Sequence, residues 1–198
     1  MGKSTLVRHL PALKGYLYLS LDDLDLRLQA EADPRVLLER GDRLILDEVQ
    51  RVPELLLAIK RSVDEARIPG RFVLTGSAHL LLHAHLGETL AGRAAHLVLW
   101  PMTRREQRGL GRAGLWGEAW PSFLREARDL REDWRSAVAR GGFPVPALLL
   151  KDWEERQMWL RAYLQTYLER DVPALRAVEN LPELRKLMEA LALRSGSL

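Results

Sequence analysis

Met1-Gly2-Lys3-Ser4-Thr5-Leu6 opens the chain. Gly-Lys-Ser is the closing triplet of the phosphate-cradling pattern G-x-x-x-x-G-K-[ST], in which a glycine-rich turn leads from a buried strand into a helix. Just after it, Leu6, Val7, Leu10 and Leu13 fall at helical spacing and predict a helix from Ser4 to about Leu13. The free N–H groups and dipole of such a helix start hold anions. Lys3 is then placed to reach nucleotide β- and γ-phosphates, and the Ser4 hydroxyl to bind Mg²⁺. With Met1 as the last variable residue of the pattern, its first glycine and leading strand would lie upstream of Met1.

Working outward, the first half alternates strand and helix. Tyr16-Leu17-Tyr18-Leu19 reads as a strand, with Asp22, Asp23 and Asp25 in a loop after it. Pro34 starts a short helix to about Arg40, stopped by Gly41. Arg43-Leu44-Ile45-Leu46-Asp47 reads as a buried parallel strand. Pro53 to about Ala66 reads as a helix, Pro69-Gly70 as a turn and Arg71-Phe72-Val73-Leu74-Thr75 as another buried strand. A helix is expected from Ala78 to about Leu86, and a last strand from His96 to Trp100. This order predicts an α/β fold, a parallel sheet covered by helices on both faces, with ligands along the edge formed by the strand ends.

Two strand ends carry chemistry. Leu44-Ile45-Leu46-Asp47-Glu48 ends a buried run in two acids, which are costly there without partners. Asp47 fits the Mg²⁺ shell of a nucleotide site, and Glu48 the residue that orients and deprotonates an attacking water. Phe72-Val73-Leu74-Thr75-Gly76-Ser77 follows after a single helical crossover, so the two strands can be neighbours. Thr75 or Ser77 then presents a hydroxyl near the γ-phosphate, and Ser77, past the strand end, is preferred.

The second half differs. Residues 1–99 carry 13 basic and 13 acidic side chains and residues 100–198 carry 17 and 14, for a net charge of +3. All six tryptophans lie at or after Trp100, which points to a boundary near Pro101: a partial core over 1–102 and a helical region over 103–198. Thr103–Arg108, about Pro121–Val138, Asp152–Glu169 and Leu181–Leu193 read as helices, with Gly141-Gly142-Phe143-Pro144-Val145-Pro146 a stiff loop between them. There is no cysteine, hence no disulfide frame or thiolate metal site. No apolar run approaches the roughly 18–20 residues that span a bilayer, and no leader pattern opens the chain. A cytoplasmic protein without a membrane partner is the reading.

On Gly2-Lys3-Ser4-Thr5-Leu6, Asp47-Glu48-Val49-Gln50, Leu74-Thr75-Gly76-Ser77, Leu90-Ala91-Gly92-Arg93, Gly142-Phe143-Pro144 and Tyr167-Leu168-Glu169-Arg170-Asp171, the chain resembles the AAA-type P-loop ATPases of bacteria and archaea that carry a C-terminal domain of unknown function. The resemblance covers nearly the whole chain. It implies a P-loop NTPase, AAA-like, that binds ATP with Mg²⁺ and hydrolyses it. Gly2, Lys3, Ser4 and Thr5 would be its nucleotide loop, Ser4 and Asp47 its Mg²⁺ ligands, Glu48 its water-activating residue and Ser77 its sensor. Arg93, with Arg170 second, would be an arginine finger reaching a neighbour's nucleotide in a homo-oligomer. Against that family the sheet lacks its first strand and the chain stops before a helix-turn-helix-like or winged region. The expectation is therefore a fragment with an incomplete loop that holds ATP poorly by itself.

Other features are set aside. His79 and His83 lie at i, i+4 near His85, but no third ligand type stands beside them. Arg104, Arg105, Arg108 and Arg112 form a basic run that Glu106 interrupts, so a nucleic-acid partner lacks support. Trp153 and Trp159 are assigned to packing. Three readings remain: an ATPase, a nucleotide-gated regulatory or DNA-associated switch, and an inactive remnant of a decayed gene.

Overall fold

The computed structural model describes residues 2–76, 90–111, 132–168 and 180–194. Ser77, the expected helix Ala78–Leu86, the three neighbouring histidines, Arg112, the first part of the expected Pro121–Val138 helix and Arg170 lie outside them. Two compact units divide between Leu99 and Trp100.

In the first unit, α1 (Lys3–His9) follows Gly2. Gly2 has φ 80°, a left-handed turn that a side chain would strain. The helix is shorter than the spacing predicts, because Pro11 opens a separate 3₁₀ turn, Pro11–Leu13. β1 (Leu17–Ser20), β2 (Leu44–Asp47) and β3 (Phe72–Leu74) form a parallel sheet in the order β1-β2-β3. β2 is central and buried at all four residues, as expected of a continuous apolar run with neighbours on both sides.

The register sorts the side chains. Leu17 aligns with Leu44 and Phe72, Tyr18 with Ile45 and Val73, and Ser20 with Asp47. Because side chains alternate between faces, Leu19, Leu44 and Leu46 share one face. They pack with Leu37, Leu38, Leu55, Leu56 and Ile59 in the core. Each fully buried leucine contributes about 1.5–3 kcal/mol. Tyr18, Ile45 and Asp47 share the other face.

Helices α2 (Leu24–Ala32), α3 (Pro34–Leu38) and α4 (Leu55–Glu65) complete the unit. The expected aspartate loop is corrected to a helix start. Asp23 caps α2 by accepting from the N–H groups of Asp25 (2.9 Å) and Leu26 (3.1 Å), and Asp25 is in its first turn. Asp33 caps α3 in the same way ahead of Pro34.

A second correction concerns His96–Trp100. No strand forms there: the segment carries no ladder, with Leu97 95 % exposed and Trp100 75 % exposed. An apolar run needs a paired neighbour to become a strand, and among the described residues none pairs with it.

In the second unit, α5 (Arg104–Gln107) begins with a capping box in which Thr103 and Glu106 satisfy each other's backbone N–H groups. α6 (Trp134–Arg140), α7 (Trp153–Thr166) and α8 (Leu181–Arg194) follow. The expected stiff loop turns into a single wide helical turn, Val145–Leu149, after Pro144. A Cβ on Gly142 would meet the Cβ of Pro101 at 2.8 Å, which explains a glycine where these backbones touch. Trp159 stacks on Tyr163 at 5.4 Å, and Phe143 packs on both rings. Arg104, Arg108 and Arg140 converge on Glu132, so two arginines of the basic run are held in ion pairs.

Candidate functional site

Period two along the sheet builds the site. Asp47 ends β2 on the face opposite the main core, and Tyr18 lies on the same face of β1. The Thr75 N–H continues the ladder to the Leu46 carbonyl at 2.9 Å, which brings the Thr75 side chain beside Asp47. The Thr75 hydroxyl donates to Asp47 Oδ1, and the Tyr18 phenol donates to Oδ2 at 2.5 Å. Asp47 and Thr75 are the buried polar residues among those described, and they hydrogen-bond to each other.

The start of α1 closes this cluster. The Ser4 hydroxyl and the Lys3 ammonium are both near enough to Asp47 to favour its charged form. Burial pushes the Asp47 carboxyl up, but the donors Thr75, Tyr18 and Ser4, with Lys3, outweigh it and hold the group below its ordinary value. Burial raises the Tyr18 phenol, and its bond to Asp47 and that carboxylate's charge raise it further, so it stays a donor. The Arg8 guanidinium lies 4.8 Å from the centre of the Tyr18 ring.

Past the strand end the chain makes a strained turn. Glu48 has φ 59°, ψ 41°. A 3₁₀ turn, Val49–Arg51, follows, anchored by the Val49 N–H on the Thr75 carbonyl at 3.0 Å and by Arg51 on Asp22 at 2.5 Å. Within it, Gln50 Nε2 donates to Glu48 Oε2.

The structure therefore gathers Lys3, Ser4 and Asp47, residues more than 40 apart in sequence, and sets Glu48 next to them. Gly2 shapes the turn before α1, and Thr5 is exposed on α1. Thr75, the less favoured of the two hydroxyls, donates to Asp47, while Ser77 lies outside the described residues. Arg93 is engaged elsewhere, in a two-pronged pair with Asp64 of α4 at 2.6 and 3.0 Å. Tyr18 and Gln50 were quoted from the sequence only as parts of longer stretches and were given no role in the site. A signal existed for Tyr18, since a phenol on a half-buried strand needs a partner. For Gln50 it did not, because its partner depends on the left-handed turn at Glu48.

The donor set suits Mg²⁺, which takes hard oxygens at one or two protein positions together with phosphates. Among the described residues no group of three or more His, Cys, Asp or Glu gathers as a metal cage. Also among them, no helix is long and apolar enough to cross a membrane.

A parallel α/β sheet with a Gly-Lys-Ser helix start against an acidic strand end is the build of a P-loop-type nucleotide-binding domain. A family model described as "AAA domain" matches residues 1–107, and the chain belongs to that family. A second model, a domain of unknown function, matches residues 131–198. Similar curated proteins include uncharacterized proteins of Mycobacterium bovis and Mycobacterium tuberculosis, each 30 % identical over 168 residues. That alignment covers 84 % of this chain and 33 % of each relative, so the chain spans about a third of their length. No solved structure matches.

Proposed function

We propose that the chain carries the nucleotide-handling part of a Mg²⁺-dependent ATPase. The observation that carries this reading is that the Asp47 carboxylate, held by Tyr18 and Thr75 at the end of β2, has Lys3 and Ser4 of the α1 start beside it, at the sheet edge where α/β folds bind ligands. Lys3 holds the β- and γ-phosphates by charge. Ser4 and Asp47 offer the oxygens for Mg²⁺, whose role when bound is to neutralise charge on the phosphates. Tyr18 and Thr75 keep Asp47 oriented and ionised before nucleotide arrives. Glu48, half-buried just past Asp47, takes the proton of the attacking water. Ser77 is retained in this proposal as the γ-phosphate sensor. Arg93 is retained as the residue that reaches a neighbouring subunit's nucleotide, which requires it to leave Asp64.

The test uses the full-length gene product, with fluorescent-ATP titration and phosphate-release assays. Lys3→Ala is expected to weaken ATP binding at least 10-fold, about 1.4 kcal/mol. Glu48→Gln is expected to bind ATP and not turn it over. Arg93→Ala is expected to bind normally and hydrolyse slowly. Steady hydrolysis by Glu48→Gln removes the catalytic assignment. ATP-dependent assembly without hydrolysis in the unaltered protein supports a nucleotide-gated switch instead.

A further inference from the structure

Glu48 is the one non-glycine residue with positive φ among the described residues. Backbone strain of this kind persists only where the surroundings enforce it. Here the turn is enforced on three sides: by the Val49 N–H on Thr75, the Arg51 N–H on the Glu48 carbonyl, and the Arg51–Asp22 ion pair. Its consequence is that residue 50 comes back onto residue 48.

A carboxylate only accepts hydrogen bonds, so the Gln50 amide must face Glu48 with its NH₂ group. That orientation leaves Gln50 Oε1 without a donor from Glu48. The oxygen is shut off from solvent and has no hydrogen-bond partner among the described residues. Buried acceptors without a donor are rare in folded proteins. This one lies two residues from the proposed general base, on a turn fixed at the end of the Asp47 strand. A donor that arrives with the substrate would satisfy it.

We propose that Gln50 is a second water-holding residue of this site, its NH₂ fixing Glu48 and its Oε1 accepting a hydrogen bond from the attacking water. The inference rests on the ATPase reading. One water O–H points to Glu48, the other to Gln50 Oε1, and the oxygen lone pair is left facing the γ-phosphorus. The bond from water oxygen to phosphorus forms as the bond from phosphorus to the β,γ-bridging oxygen breaks, its electron pair leaving with ADP. One water proton passes to Glu48 and then to solvent. The other, held at Gln50 during attack, stays on the product phosphate. A glutamine orienting an attacking water has precedent in other nucleotide hydrolases.

The experiment compares the unaltered full-length protein, Glu48→Gln, Gln50→Met and Gln50→Glu. Gln50→Met keeps the shape and loses both hydrogen-bonding functions, whereas Gln50→Glu keeps an acceptor and loses the donor to Glu48. Both Gln50 variants are expected to lower kcat on the order of 10–100-fold, with fluorescent-ATP Kd and melting temperature unchanged. Apart from turnover, the ¹⁵N-labelled Gln50 side-chain amide of the nucleotide-free protein is expected to move in NMR spectra of Glu48→Ala. Normal kcat in Gln50→Met, in a protein that Glu48→Gln inactivates, overturns the inference and leaves the ATPase reading standing. A kcat loss that tracks a weaker Kd and a lower melting temperature reduces Gln50 to a structural residue. An unmoved amide shows the pair is not made in solution and likewise overturns it. No hydrolysis by the unaltered protein, or hydrolysis by Glu48→Gln, removes the ATPase reading and this inference with it.

Discussion

Leu44–Asp47 and His96–Trp100 read almost alike: short runs rich in leucine and β-branched aliphatic side chains, each expected to be a strand. They end up opposite. β2 is buried at every residue between two parallel neighbours. The later run has no ladder bonds and exposes Leu97 almost completely. Apolar composition states only that a segment gains by burial; whether a neighbour is there to bury it is a property of the fold. The same difference separates the two chemistries of the chain. Asp47 and Glu48 sit at the end of β2, where that strand has partners on both sides, and the exposed run carries none of the candidate residues.

The largest effect expected from this contrast lies in β2. Leu46→Ala removes a fully buried side chain facing α3 and α4 residues of the core. It should destabilise the first unit by about 2–5 kcal/mol, read as a fall in the denaturant midpoint with the slope unchanged. A loss under about 1 kcal/mol, far below what cavity formation in a packed core costs, would mean that β2 is not a rigid centre.

How much of this was legible follows from which rules are local. The three strands, the helix at Pro34 and the helix after Thr103 depend on near neighbours in sequence, and the chain displays them. Lys3, Ser4 and Asp47 could be named in advance because a phosphate site needs those atoms in that order. α2 was hidden because an aspartate after a strand reads as a loop unless the helix formers behind it are weighed; Asp23 is its cap. Tyr18 and Gln50 were hidden for a different reason. Their roles come from register and from the positive φ at Glu48, neither of which has a sequence signature.

The next effect concerns the acid limb. Burial raises the Asp47 carboxyl, the bonds from Thr75, Tyr18 and Ser4 lower it more, and the group ends below its ordinary 3.8. The unfolded chain therefore binds its proton more readily. The stabilisation is fully present above pH 3.8 and is lost as pH falls through the folded-state value. Tyr18→Phe removes one of these donors. At neutral pH it should cost about 1.5–3 kcal/mol, the range for a hydrogen bond to a charged group, and acid unfolding should begin at higher pH. An acid transition identical to that of the unaltered protein would show that the phenol does not hold Asp47 in solution.

The smallest effect is expected in the run that failed to become a strand. Leu97 touches little, so Leu97→Ala should change stability by no more than about 0.5 kcal/mol, as for surface positions generally. The matching solubility test is Leu97→Asp, which removes part of an exposed apolar stretch that includes Val98 and Trp100. It should reduce self-association in light scattering without moving the melting temperature. The informative failure is a large loss in both variants, approaching that of Leu46→Ala. That result would mean that Leu97 is packed in solution, so that the run is a strand after all and has a neighbour beyond the described residues. The contrast with β2 would then lie in what the described residues include, and the original reading of His96–Trp100 as a strand would be restored.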